Sequence, residues 1–324
     1  MLINEVVEKF NVVANTAYNK AYQELEPELK SLAYEFDSGD VKETTFPVTR
    51  IFSNTHLFTG DREHRNPADA WLFSIVNKEY DDSVDILRRD LMRAARANNI
   101  TGLDLYTGSI EAMAEGAKEN PFESLLTMLE FGDASTYGTT FDGQNFFDTT
   151  HDFNNAAGTQ SNLLTGTGFT LATLLTDLKA AMAAMDGFTL TMNPESSLNA
   201  KLRKLNNKTG KYLVVCSPKL KPLFNDLRMM EVIGNDGATT NTLRNTFEVV
   251  SRPFTDANDW YLLDVAETRI KPFNISMEER PKLETPEMNE QQLREHKMMT
   301  WGIEGFSYGI GYGAWWKAVM TTNA

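Results

Sequence analysis

With 324 residues, 41% of them hydrophobic, the chain has room for two domains or one elaborate one and enough apolar mass to bury a core, which excludes wholesale disorder. Its 45 acidic against 31 basic residues leave a net charge of −14, the wrong sign for a protein whose main task is gripping nucleic acid, because phosphate binding runs on clustered lysine and arginine. The single cysteine, Cys216, cannot form an internal disulfide, the first residues lack the basic start and apolar run of a secretion signal, and no run of about 18 apolar residues offers a membrane span.

In chain order, Leu2, Val6, Phe10, Val13, Ala17, Ala21 and Leu25 recur at steps of three and four, one stripe of a helix over residues 2–25. The stripe is narrow and its flanks are polar, which predicts an arm packed on something outside itself, ending at Pro27 and Asp37-Ser38-Gly39-Asp40. Residues 45–52 and 71–76 are β-prone runs on either side of the charged, turn-rich stretch 59–67. Two strands about a polar connection predict a long hairpin, and a hairpin is poorly stable unless it leans on a partner. Residues 85–98 read as a helix with its charges outward. A second helix is predicted from Ser109, with Ile110, Met113 and Ala117 in phase. Asn120-Pro121-Phe122-Glu123 then supplies an N-cap, a proline at the first helical position and a capping-box glutamate, ahead of a stripe at Phe122, Leu125, Leu126 and Leu129. Pro121 either kinks one long helix or joins two.

Residues 132–168, rich in Gly, Asn, Asp, Ser and Thr, form a long irregular region of the kind that tends to be functional or interfacial. Leu171, Leu174, Leu175, Leu178, Met182 and Met185 give the cleanest helical period in the chain. Residues 213–216 read as a buried strand, and Ser217-Pro218 as the opening of a helix through Met230, a succession belonging to an α+β or α/β layer. Residues 260–263 and 270–275 are short strands. Near the end, Tyr308, Ile310, Tyr312, Ala314 and Trp316 share one face of a strand; Gly309, Gly311 and Gly313 fall on the other, where another backbone or side chain can approach closely.

Candidate chemistry is sparse. His56, His64, His151 and His296 are scattered, and none shows the paired helical spacing of a zinc hydrolase. The richest constellation is Asp142-Gly143-Gln144-Asn145-Phe146-Phe147-Asp148-Thr149-Thr150-His151-Asp152, whose three carboxylates and imidazole are a donor set for an oxygen-rich metal site. The same residues are turn-formers, with Phe146 and Phe147 as anchors, and that plainer reading is the expectation. Cys216 sits in an apolar strand where cysteine behaves as a small hydrophobe. No serine occupies a Gly-x-Ser-x-Gly elbow, and the glycines of 309–313 lack the strand-turn-helix context of a phosphate loop. The basic cluster of Lys201, Arg203, Lys204, Lys208 and Lys211, with Lys219 and Lys221 nearby, is expected to be a solvated loop, and Asn207-Lys208-Thr209 is a glycosylation sequon discounted for want of a secretion signal. No catalytic residue, metal or cofactor is assigned.

Taken as an ordered series, several segments resemble the Mu-like phage major head subunit family. Asp142-Gly143-Gln144-Asn145-Phe146-Phe147-Asp148-Thr149-Thr150-His151 is similar to the family's marker loop, departing from it at Asp152, where proline is usual. Val214-Val215-Cys216-Ser217-Pro218, Trp260-Tyr261-Leu262-Leu263-Asp264, Lys271-Pro272-Phe273 with Glu279-Arg280, and Trp301-Gly302 through Gly311-Tyr312-Gly313-Ala314-Trp315 follow in order over residues 40–318. The resemblance implies the α+β fold of tailed-phage major capsid proteins (the Hong Kong 97 type, shared with encapsulins). Its parts would be an N-terminal arm (1–41), an E-loop and following helix (42–104), a peripheral domain with a spine helix (105–164), an axial domain (165–262) and C-terminal strands returning to both (263–324).

The function implied is that of a major capsid protein, not an enzyme, which self-assembles into an icosahedral head shell around the double-stranded DNA of a tailed phage or prophage. It would be a virion component assembled in the host bacterial cytoplasm. Its partners would be itself, as pentamers and hexamers, then decoration, scaffold or portal proteins, and packaged DNA without sequence specificity; no membrane and no cofactor are implied. The residues expected to touch neighbouring subunits are Phe10 and Val13 on the arm and Phe46, Ile51, Phe52, Phe58, Arg62, Arg65, Trp71 and Phe73 on the hairpin. The alternatives are an encapsulin-type protein compartment and, from another class, a metal-dependent hydrolase built on the 142–152 loop.

Overall fold

The computed structural model describes residues 2–39, 41–47, 72–152, 158–192, 201–205, 210–233, 239–286 and 298–323. The chain opens with α1, Ile3–Glu24, started by the Glu5 carboxylate, which accepts the backbone N–H of Leu2 at 2.8 Å. Its buried side is Val6, Val7, Phe10, Ala14 and Tyr18. That face is wider than the expected stripe, because Val7, Ala14 and Tyr18 join it, and the chain covers it with its own residues. Phe10 meets Trp301 edge to face at 5.3 Å, and the Trp301 indole N–H donates to Asn11 Oδ1 at 2.8 Å. Lys118 donates to the carbonyls of Tyr22 and Gln23, where a cation offsets the negative end of the helix dipole. The expectation of an arm docked outside its own body is therefore corrected. Phe10 is 1% exposed within the core of its own chain, and Val13 is half-buried.

After β1, Ala33–Asp37, the chain forms the expected hairpin from β2, Glu43–Pro47, and β3, Leu72–Val76, antiparallel, with Phe46 opposite Phe73. The next segment differs from the helix expected over 85–98. β4, Lys78–Leu87, is a strand, and α2, Arg88–Ala97, begins only after it. In β4 the charges hide a period of two: Tyr80, Val84 and Ile86 turn inward while Glu79, Asp81 and Asp85 face out. α2 ends at Asn98, which takes the left-handed conformation (φ 48°) that asparagine tolerates at a helix end. α3, Asp104–Glu130, is one helix that carries Pro121 inside it and starts ahead of Ser109.

Beyond the long irregular region come β5, Leu163–Thr165, and α4, Leu171–Gly187, on the expected period. Thr170 caps α4, its hydroxyl accepting from the N–H of Thr173 at 3.2 Å. β6, Thr189–Met192, and β7, Lys201–Lys204, make a small antiparallel pair. β8, Tyr212–Cys216, is buried throughout; α5, Lys221–Met229, starts later than Ser217, after a turn, with Pro222 in its first turn. β9, Val232–Ile233, pairs with β10, Thr239–Thr240, and β11, Phe247–Ser251, β12, Trp260–Asp264, β13, Phe273–Glu279, and β14, Lys282–Glu284, follow. The chain closes with β15, Met298–Tyr312, and β16, Ala318–Thr322.

Two five-stranded sheets organise these elements. One runs β1-β13-β15-β14, with β4 also paired to β15, and packs against α1, α2 and α3. The other runs β11-β8-β12-β16-β5 and packs against α4 and α5. β1 lies parallel to β13, β11 to β8 and β16 to β5, and the other pairings are antiparallel. Trp260, Trp301, Trp315 and Trp316 are fully buried and anchor the shared core.

Candidate assembly surfaces

The root of the β2–β3 hairpin is built from two glycines and an asparagine. β3 crosses the glycine face of β15, and Ile75, 1% exposed, fills the space left there. A methyl in place of the hydrogen on Gly309 would lie 2.6 Å from Ile75 Cγ2 and 2.7 Å from the Val76 carbonyl; on Gly311 it would lie 2.7 Å from Ile75 Cγ1. The close approach expected from the Gly309, Gly311, Gly313 alternation is thus real: the hairpin occupies it at Gly309 and Gly311, and the Lys271 and Pro272 carbonyls at Gly313. Asn77 ties the two hairpin strands to the body: its backbone N–H donates to the Lys42 carbonyl at 2.9 Å, and its side-chain amide donates to Val41 O at 2.9 Å and Ser38 Oγ at 3.1 Å. Ser38 in turn donates to Met277 O at 3.1 Å. Around this root Val41 and Val76 are about half exposed, and a cavity of about 520 Å³ opens between β3, α3 and β15, walled by Tyr80, Tyr137 and Tyr308. Of the expected hairpin contacts, Phe46 and Phe73 are register partners. Ile51, Phe52, Phe58, Arg62, Arg65 and Trp71 lie outside the described residues.

The 142–152 loop folds as a latch. His151, fully buried, sets Nδ1 2.8 Å from Asp142 Oδ2 and Nε2 3.2 Å from the Phe146 carbonyl, and its ring stacks on Trp315 at 4.0 Å. Burial alone would push the Asp142 carboxyl up, but the hydrogen bond and charge of His151 outweigh it and hold the group below the usual carboxylate range. Asp148 instead accepts the N–H and hydroxyl of Thr150 at 2.9 and 2.7 Å, closing its own turn. The carboxylates therefore diverge rather than converge on one point, and among the described residues no group of three or more His, Cys, Asp or Glu side chains is placed to hold a metal ion. Phe146 stacks on Tyr312 at 4.7 Å, and Asn162 donates to the Phe146 and Trp315 carbonyls at 2.8 and 3.2 Å, pinning the loop to the chain between β15 and β16. Nothing in sequence marks Trp315, far along the chain, as a partner of the loop, nor singles out Asn162 within the irregular region that follows it.

The remaining candidates are structural. Burial pushes the Cys216 thiol up to about 12, far from the thiolate a nucleophile needs. Lys219 donates to Asn258 Oδ1 at 2.7 Å, Lys211 and Lys221 are exposed, and the side chains of Lys201, Arg203 and Lys204, like all of Lys208, lie outside the described residues. A fully buried ion pair that sequence reasoning missed joins Lys317 to Asp264 at 2.8 Å, with Glu267 at 3.2 Å. Among the described residues no helix is long and apolar enough to cross a membrane.

The model of the family described as Mu-like prophage major head subunit gpT matches residues 7–185. Comparison with curated proteins finds no match. Among solved structures, the chain is similar to one from the procapsid of bacteriophage JBD30, with 16% identity and a TM-score of 0.52 over 99% of this chain and 76% of that one. It is also similar to a chain from the capsid of cyanophage P-SCSP1u, with 12% identity and a TM-score of 0.51 over 92% of this chain and 88% of that one. Likeness at this level of identity establishes the fold, the mixed α+β architecture of tailed-phage capsid proteins of the Hong Kong 97 type.

Proposed function

Because the chain belongs to the Mu-like prophage major head subunit family it is a capsid protein that forms the head shell, and we propose that its copies join by lending their β2–β3 hairpins to one another. A two-stranded hairpin is marginal by itself. This one is rooted firmly at Ile75 and Asn77, and the residues beyond the root, Phe46, Ile51, Phe52, Phe58, Arg62, Arg65, Trp71 and Phe73, are the apolar and cationic side chains that a neighbour's surface would cover. Extended segments bury large areas across subunits, and a contact between unlike patches of identical chains repeats around a ring until it closes. The family match over residues 7–185, which takes in both hairpin strands, carries this reading.

In this reading the sheet backed by α1, α2 and α3 belongs to the peripheral domain with α3 as its spine, and the sheet backed by α4 and α5 to the axial domain, with boundaries near residues 41, 104, 164 and 262. Pentamers and hexamers build an icosahedral shell in the host bacterial cytoplasm, with scaffold, portal or decoration proteins as further partners. The net charge of −14 keeps packaged double-stranded DNA from adhering to the shell protein. The chain serves as a structural subunit of the virion and no catalysis is assigned to it. Electron microscopy of the purified protein tests the reading. Shells, tubes, pentamers or hexamers are expected; a monomer that stays single at all concentrations would overturn it, and shells filled with a cargo protein would point to an encapsulin-type compartment.

A further inference from the structure

Two faces of opposite charge lie close together in sequence and go largely uncompensated among the described residues. α2 buries Leu91 and Ala94 and presents Arg89, Arg93 and Arg96 on its exposed side, at i, i+4 and i+7, a single stripe. Among the described residues Arg89 and Arg93 reach one carboxylate, Asp90, at 3.8 and 3.0 Å, and Asp90 already accepts the Tyr106 hydroxyl at 2.8 Å. Arg96 meets no carboxylate among them.

The complementary face is a cleft of about 360 Å³ between β4 and α3. Its floor includes Tyr80 and Phe306, and its rim carries Asp81, Asp82, Glu119 and Glu123. Asp81 and Glu119 have no partner among the described residues, Asp82 accepts only the neighbouring Ser83 N–H at 2.8 Å, and Glu123 lies 3.6 Å from an Arg252 that is closer to Glu28. β4 pairs with β15 along one edge, and no strand among the described residues covers the other.

We propose that the arginine stripe of α2 in one copy docks in the β4–α3 cleft of a neighbouring copy. The inference rests on the shell reading and names a contact within it. Two unlike, complementary patches on one chain make a heterologous contact, the kind that generates rings. Isolated surface ion pairs contribute little. Here, however, guanidinium groups brought over an apolar, aromatic floor lose water on both sides, gain a ring face to stack on, and select this docking over alternatives that would set like charges together. The acidic rim also discourages β4 from pairing edge to edge with another β4.

The test is a charge swap read by light scattering and electron microscopy, with circular dichroism confirming that each variant folds. Asp81→Lys with Glu119→Lys makes one variant, and Arg93→Glu with Arg96→Glu the other; all four positions are exposed. Each variant alone is expected to raise the protein concentration needed for assembly by about tenfold or more. An equimolar mixture should bring assembly back toward the wild-type range, because alternating the two variants around a hexamer gives every α2 a cleft of opposite sign, and around a pentamer leaves a single mismatch. The neutral pair Asp81→Asn and Glu119→Gln, which preserves shape, should shift assembly in the same direction and weaken its salt dependence. Assembly of the folded reversal variants at the wild-type concentration would overturn the proposal, as would a mixture that fails to recover. Failure of the unmodified protein to assemble would instead overturn the shell reading, and the proposal with it.

Discussion

Gly311 shows how far a single residue can be read. Its alternation with Gly309 and Gly313 opposite aromatic positions announces a face kept clear for something else, and the structure supplies the occupant, Ile75. The neighbours of an added methyl at Gly311 are all Ile75 side-chain atoms, whereas at Gly309 the Val76 carbonyl is also in the way. Gly311→Ala should therefore cost about 1–3 kcal/mol by overpacking. Combined with Ile75→Ala it should cost much less than the two changes added, while Gly309→Ala should not be rescued this way. Denaturant unfolding of the single and double variants measures this, and strict additivity at Gly311 would contradict the packing described. Asp259 supplies a pH test. Burial first, then the Asp256 and Asp133 carboxylates, raise its pKa from 3.8 to about 6 against the opposing N–H of Asn323. The folded chain thus holds this proton more tightly than the unfolded chain, so the group favours folding below pH 3.8 and loses that contribution as pH rises through about 6. Asp259→Asn should melt above the wild type at neutral pH, with the gap closing on acidification; a gap independent of pH would contradict the account. The Lys317–Asp264 pair, by contrast, is illegible in sequence, because two residues far apart in the chain leave no period to detect.

Elements were legible in proportion to how clearly their apolar residues repeat. α4 follows its leucines. α1 was recognisable as a helix, but a stripe states which face is buried and not what buries it, so its docking on Trp301 and α3 within the same chain could not be read. β4 was missed because Glu79, Asp81, Asp82 and Asp85 conceal the alternation of Tyr80, Val84 and Ile86. Pro121 left open one helix or two, and packing of Ile110, Met113, Phe122 and Leu125 on one core holds α3 continuous through it. For α1 the consequence is direct. Phe10→Ala should destabilise the dissociated subunit by about 3–5 kcal/mol, the ordinary cost of emptying a buried aromatic site. Thermal or chemical unfolding of the unassembled protein reads it, and an unchanged stability would restore the picture of an arm waiting for a neighbour.

At the scale of the molecule, the order of strands in the sheets was beyond reach. β1 lies beside β13 in parallel, and the final strands divide between the two sheets, β15 in one and β16 in the other, pairings set by packing across most of the chain. The family was legible nonetheless: the 142–151 loop, which resembles the family's marker, falls within the matched residues 7–185, and in the structure it proves to be a latch pinned to the chain between β15 and β16. In the proposed assembly α1 keeps its packing on its own chain, while the hairpin, rooted in the body at Ile75 and Asn77, is to be completed by other copies. Amide hydrogen exchange, compared between assembled particles and dissociated subunits, tests that division most directly. The account predicts that assembly adds protection across residues 43–76, while residues 3–24 are already protected in the dissociated subunit and change little. Protection gained by α1 with none at the hairpin would contradict it.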